Sequence, residues 1–204
     1  MKIICIGRNY IDHAKELNNP VPSEPIFFLK PDSSILPSRT AFYIPDFSDD
    51  VHFEVELVYK ICKLGKHISV KHAERYYDEI GLGIDFTARD VQSELKSKGH
   101  PWEKAKAFDG SAVISRHFFP KSHFDDLKNI KFSLNQNRET VQTGNNRDMM
   151  FDIDTIISHV SQYMTLKMGD LIFTGTPAGV GKVYEEDVLK GFIADKEMFK
   201  VNIK

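Results

Sequence analysis

The 204-residue sequence predicts a mostly β fold with peripheral helices. Three observations carry that prediction. Short apolar runs bounded by Gly, Pro, Asn or Asp recur along the chain, and several of its 15 Phe residues fall in them. The stretch VHFEVELVYKI, residues 51–61, alternates as a strand does: Val51, Phe53, Val55, Leu57 and Tyr59 point one way. Helical spacings are scattered among the strands rather than alternating regularly with them, so repeated βαβ units fit poorly. The length suits one substantial domain, residues 1–204.

The elements follow in order. Residues 2–6 read as an opening strand that Gly7 ends. Residues 9–17 read as a short helix, with Asn9 as its cap and Asp12 three residues on. Asn and Pro make 18–25 a loop, 26–30 is a strand between two prolines, and 42–44 is another short strand. The strand at 51–62 is next. Ala73, Tyr76, Tyr77 and Ile80 have helical spacing, which predicts a helix over 71–81. A strand entering a turn covers 82–90, and a helix covers 91–99, with Gly99 at its end. Residues 112–114 form a short strand, and 129–144 a hairpin turning near 135–137. Within 152–170, Ile153, Ile156, Ile157, Val160 and Met164 form the apolar stripe of a core-facing helix. A strand, a Gly-Pro loop at 174–181 and closing strands near the end complete the chain.

Composition narrows the function classes. The 27 Lys and Arg against 29 Asp and Glu give a formal charge of -2, which asks for neither nucleic acid nor an acidic membrane surface. No apolar run is long enough to span a bilayer. Cys5 and Cys62 sit in apolar runs and read as buried free thiols, consistent with a reducing cytoplasmic setting.

The chemistry starts on the second face of 51–62. That face begins His52, Glu54, Glu56 and then returns to apolar Val58. Adjacent carboxylates repel unless a cation or proton offsets them. The face is therefore either an edge blunted by charge or a metal or acid/base site. Two hard oxygen donors favour Mg²⁺, Mn²⁺ or Ca²⁺. Asp85, at the end of an apolar strand, is the candidate third ligand; Asp90 is its rival, and as readily a helix cap. His13 and Glu16, three apart on a helix, can pair so that the glutamate fixes the imidazole tautomer. Lys106 in WEKAKAFDG is a candidate for neutralising developing charge. Arg89 and Gln92, near a helix start, are candidates for holding a carboxylate and a substrate oxygen. TGTPAGVG, residues 174–181, is neither a P-loop nor a dinucleotide fingerprint, but its small residues permit close backbone approach.

Taken together, GRNYIDHAKEL, FEVEL, GIDFTARDVQ, WEKAKAFDG and TGTPAGVG resemble the fumarylacetoacetate hydrolase family, in its compact acylpyruvate hydrolase and oxaloacetate decarboxylase-like branch. The resemblance spans residues 7–181, with the motifs in the family's order. It implies a mixed β-roll, a homodimer, and Mg²⁺ or Mn²⁺ held by Glu54, Glu56 and Asp85. It also implies that His13 and Glu16, on a lid-like segment, activate water, and that Lys106 is catalytic. Arg8, Arg89, Gln92 and Thr176 are implied in binding a small 2-oxo acid. The chain departs from the family in a short, charged tail after Gly181 and in AFDGSAVIS, with Asp109 near the expected pocket. The leading expectation is hydrolysis of an acylpyruvate between carbons 3 and 4. Oxaloacetate decarboxylation, hydration or isomerisation of a 2-oxo dienoate, and an inactive metal-binding protein are the alternatives.

Overall fold

The structure, a computed structural model, describes residues 1–16 and 21–204. The expected end of the first helix at residue 17 and the start of the following loop lie outside the described residues. In chain order the strands are β1 (Ile3–Gly7), β2 (Ile26–Lys30), β3 (Val51–Phe53), β4 (Val55–Ile61), β5 (Tyr77–Asp85), β6 (Thr87–Ala88) and β7 (Ala112–Ile114). They continue with β8 (Phe119–Pro120), β9 (Lys131–Gln136), β10 (Glu139–Asn145), β11 (Leu171–Phe173), β12 (Gly181–Lys182), β13 (Val188–Ile193) and β14 (Lys196–Asn202). The helices are α1 (Ile11–Glu16), α2 (Val70–Ala73), α3 (Arg89–Ser97), α4 (Glu103–Lys106) and α5 (Ile153–Tyr163).

A mixed seven-stranded sheet runs β2-β1-β11-β4-β5-β7, with β8 also on β5. β1 and β11 are its parallel pair, and its other pairings are antiparallel. A four-stranded antiparallel sheet, β10-β9-β13-β14, and a small one, β12-β3-β6, complete the mostly β architecture. β4 is buried on both faces. Val55, Leu57, Tyr59 and Ile61 join the main core, whereas Val58 packs in a second cluster with Ile3, Cys5, Leu171 and Phe173. The face that opens with two carboxylates thus turns apolar because a second core lies beneath it.

Two of the expected elements are built differently. The strand at 51–62 is interrupted at Glu54: β3 joins the small sheet and β4 the large one. The expected helix at 71–81 is one turn of α2, a 3₁₀ turn at Glu74–Tyr76 and then β5. Its helical spacing has a different cause. Ile61 faces Tyr77 while Lys60 faces Glu79, so Asp78 is bulged out of the ladder. The extra residue resets the alternation, and Tyr77 reaches the same core as Ile80, Leu82 and Ile84. Gly83 must be glycine: a Cβ there would lie 2.5 Å from the Val113 carbonyl and 2.6 Å from the Phe173 ring.

The hairpin forms as expected, with Asn137 in the left-handed region at φ 59°. α5 buries Ile153, Ile156, Ile157 and Val160, and Asp152 caps it by accepting from Thr155 N–H at 2.9 Å, while Met164 falls just past its end. Residues 42–44 contribute only a bridge from Phe42 to Ile203. Cys5 is buried and Cys62 half-buried, both free. Among the described residues no helix is long and apolar enough to cross a membrane.

Asn9 does not cap α1. Its side chain accepts from Phe151 N–H at 2.9 Å and donates to the Phe151 and Thr174 carbonyls at 2.9 and 2.8 Å. It is fully buried, so it fastens the start of α1 to the strand that leads into the Gly-Pro loop. Asn9→Ala strands several buried backbone groups and is expected to cost about 2–3 kcal/mol, read by urea unfolding; a loss under about 0.5 kcal/mol would show that water replaces these bonds.

Candidate active site

Strand register brings the carboxylates together. Val55 faces Ile84 and Glu56 faces Gly83 across the β4–β5 ladder, and Asp85 N–H donates to the Glu54 carbonyl at 2.9 Å. Facing residues share a side of the sheet. Asp85 therefore joins Glu54, and Glu56, two residues along, points the same way. One oxygen of each carboxylate lies within 4.8 Å of the others, and all three side chains are buried.

Cations surround two of the three. Lys106, the last residue of α4, places Nζ 2.8 Å from Glu54 Oε2 and 2.7 Å from Asp85 Oδ2, and donates to Thr87 Oγ1 at 2.6 Å. Arg89, the first residue of α3, reaches Glu54 Oε1 at 2.5 Å and donates to Gln92 Oε1 at 2.7 Å. Lys30, fully buried at the end of β2, sits 2.8 Å from Asp85 Oδ1 and donates to Ser111 Oγ and to the Lys106 carbonyl. Burial alone would raise the Glu54 pKa, but Lys106 and Arg89 outweigh it and hold the carboxyl well below the usual range. Burial would lower the Lys106 pKa, yet Asp85 and Glu54 raise it, so the ammonium stays charged.

Glu56 differs. It accepts from Gly175 N–H at 2.6 Å and forms no ion pair among the described residues. Burial, then Asp85 and Glu54, push its carboxyl far up. Asp85 Oδ1 is buried and, despite the nearby ammonium, accepts no hydrogen bond. A triad of buried carboxylates whose Glu56 member forms no ion pair with any described residue fits a hard divalent cation. Gly175 makes the approach to Glu56 possible: it adopts φ +95°, and a Cβ there would meet Asn9 Cβ at 2.8 Å.

His13 is buried on α1, and its Nδ1 lies 3.1 Å from Glu16 Oε2. Glu16 also accepts from Gly179 N–H, at 3.1 Å to Oε1, which ties α1 to the Gly-Pro loop. Burial lowers the His13 pKa, against the pull of Glu54 and Glu16. The residues that the family resemblance implicates line one cleft, except for Glu16, which stands behind His13. Thr176 is fixed there by Gln142, whose Nε2 donates to its hydroxyl at 2.8 Å while its Oε1 accepts from Val55 N–H. Asp90 lies outside the cleft, accepting from Ser48 Oγ and Asp49 N–H. Asp109, expected near the pocket, is exposed and does not line it.

Lys30, Gln142, Lys96 and Trp102 are the residues that sequence reasoning missed. For Lys30 a signal existed: period two puts it on the face of Phe28, which lines the cleft. Gln142 follows a register shift in the β9–β10 hairpin, and no local pattern marks it.

A mixed β scaffold carrying a buried carboxylate triad, a buried lysine and a histidine–glutamate pair defines an enzyme site. The profile described as "Fumarylacetoacetate (FAA) hydrolase C-terminal" matches residues 2–204, and the chain belongs to that family. It is 46% identical over 190 residues to the mitochondrial oxaloacetate decarboxylase of Dictyostelium discoideum, covering 93% of this chain and 87% of the relative. It is 43% identical over 191 residues to the mitochondrial oxaloacetate tautomerase FAHD1 of Bos taurus, covering 94% and 86%. Its fold superposes, with TM-score 0.93 and 33% identity, on a Pseudomonas aeruginosa fumarylpyruvate hydrolase solved with Mn²⁺ and pyruvate, covering 100% and 89%. The mitochondrial names of the Dictyostelium and bovine relatives correct the cytoplasmic expectation. Two unpaired cysteines report redox state, and they cannot distinguish one reducing compartment from another.

Glu56→Gln keeps the shape and removes the under-compensated charge. Mn²⁺ affinity is expected to fall by at least about tenfold with no loss of metal-free stability, read by calorimetric titration and thermal unfolding. Unchanged affinity would remove Glu56 from the ligand set.

Proposed function

We propose that this chain acts on oxaloacetate, a dicarboxylic 2-oxo acid, as a divalent-cation-dependent decarboxylase and keto–enol tautomerase. The observation that carries this reading is the Lys106 ammonium, charged and held beside the buried triad. The oxaloacetate names of the Dictyostelium and bovine relatives support it. It replaces acylpyruvate hydrolysis as the first reading.

Both reactions place negative charge on the C2 oxygen. In decarboxylation the C3–C4 bond breaks, C4 leaves as carbon dioxide, and its electron pair forms the C2–C3 double bond. In tautomerisation a C3 proton leaves instead, and the same charge develops. Mg²⁺ or Mn²⁺ held by Glu54, Glu56 and Asp85 would supply Lewis-acid polarisation of the 2-oxo acid. Lys106 offsets the developing charge from a water-poor position. Arg89 and Gln92, locked to each other, present a rigid polar wall for the C1 carboxylate, and Thr176 adds a hydroxyl. His13, kept neutral by burial and oriented through Nδ1 by Glu16, offers Nε2 as the base or acid for the C3 proton. The same pair supports a second reading, water activation for acylpyruvate hydrolysis. One catalytic domain spanning 1–204 and a homodimer belong to the proposal on the strength of the family resemblance.

Turnover of oxaloacetate and acetylpyruvate by metal-stripped protein, with and without Mg²⁺ or Mn²⁺, decides between the readings. Cation-dependent oxaloacetate conversion is expected to dominate; acetylpyruvate conversion alone would restore the hydrolase reading. His13→Ala is expected to lower tautomerisation kcat/KM by about 10²–10⁴. Because the neutral ring is the competent base and burial lowers its pKa, activity should rise with pH through an acid limb below the ordinary histidine value of 6.5. A limb above 6.5 that survives in His13→Ala would assign the proton transfer to another group.

A further inference from the structure

Two cations in the cleft have no carboxylate partner among the described residues. Lys106 and Arg89 are committed to Glu54 and Asp85, but neither Arg8 nor Lys96 makes a hydrogen bond or ion pair with any described residue. Arg8 Nε is buried without an acceptor, and Arg8 holds a left-handed backbone at φ 59°, a conformation that a side chain with Cβ seldom adopts. Lys96 rises from α3 one turn beyond Gln92 and lies 5.6 Å from the centroid of the Trp102 ring, which also borders the cleft. Burial, then Arg89, Arg8 and Lys106, pull the Lys96 pKa down to about 8 against the attraction of Glu54. This is the behaviour of an ammonium placed among cations without a carboxylate of its own.

Side chains crowd the cleft, whose cavity volume is about 30 Å³. The inner residues are fixed by ion pairs and hydrogen bonds. Among the charged side chains that line the cleft, Arg8 and Lys96 are the two that no hydrogen bond or ion pair to a described residue commits elsewhere.

Resting on the oxaloacetate reading, we propose that Arg8 and Lys96 form a receptor for the second carboxylate of a dicarboxylic 2-oxo acid, in the cleft that the carboxylate triad also lines. Such a receptor selects dicarboxylates over monocarboxylates. It also biases the outcome. Loss of carbon dioxide turns an anionic C4 carboxylate into a neutral molecule, so two cations on that group stabilise the bound acid more than the decarboxylation transition state. Removal of a C3 proton leaves the C4 carboxylate anionic and keeps both contacts. The receptor favours tautomerisation over decarboxylation.

Malate and lactate test this without turnover. Both offer the same 2-hydroxy carboxylate, and malate alone adds a second carboxylate. With Mn²⁺-loaded protein, calorimetry is expected to show malate bound about tenfold or more tightly than lactate. Lys96→Met, which keeps the stem against Trp102, should bring the two affinities to within about threefold, and Lys96→Arg should restore most of the preference. In the same variant the ratio of pyruvate formed to enol interconverted from oxaloacetate should rise. Lys96→Gln serves the same purpose should Lys96→Met fail to fold. A malate preference absent from the unmodified protein, or unchanged in Lys96→Met and in Arg8→Gln, overturns the receptor. If neither oxaloacetate nor acetylpyruvate is turned over but Lys96→Met abolishes the malate preference, the receptor stands and the oxaloacetate reading falls.

Discussion

Three carboxylates buried within 4.8 Å of one another are the constraint around which this molecule is arranged. Left alone they would repel in a medium that screens poorly. The fold answers with cations drawn from separate parts of the chain: Lys30 from β2, Arg89 from α3 and Lys106 from α4. Lys30 and Lys106 are buried and Arg89 largely so, and a buried cation is as costly as a buried carboxylate unless paired. The mutual need fixes where α3 and α4 sit against the large sheet. The site is thus part of what positions the helices around it.

The Gly-Pro loop plays a complementary part. Gly175 satisfies the one carboxylate without a cation, and Gly179 N–H holds Glu16, which orients His13. One loop therefore sets the electrostatics on one side of the cleft and the tautomer on the other. Gln142 ties it to the start of β4, so one side chain bridges the loop and the carboxylate strand.

Much of this was legible in the sequence, for identifiable reasons. The alternation at 51–61 placed Glu54 and Glu56 on one side because period two survives the change of sheet at Glu54. The i, i+3 spacing of His13 and Glu16 held because α1 is helical across it. What was hidden was non-local. A bulge at Asp78 imitated helical spacing at Tyr77 and Ile80. Asn9 looked like a cap because nothing nearby reveals a partner at Phe151 or Thr174. Lys30 looked like a strand's polar end because its carboxylate lies 55 residues away, at Asp85.

The Lys30–Asp85 pair has a consequence for how lineages of this fold age. Loss of the carboxylate would leave a fully enclosed ammonium uncompensated, a penalty of about 3–5 kcal/mol. That is a large share of the roughly 5–15 kcal/mol that keeps a domain folded. A descendant that had abandoned its chemistry would still be held to Asp85 by the need to stay folded. Its persistence is therefore a poor witness to activity. Glu56, which pairs with no cation among the described residues, is under no such ion-pair constraint, and in the metal-ligand role proposed for it, it is the better marker of a working lineage.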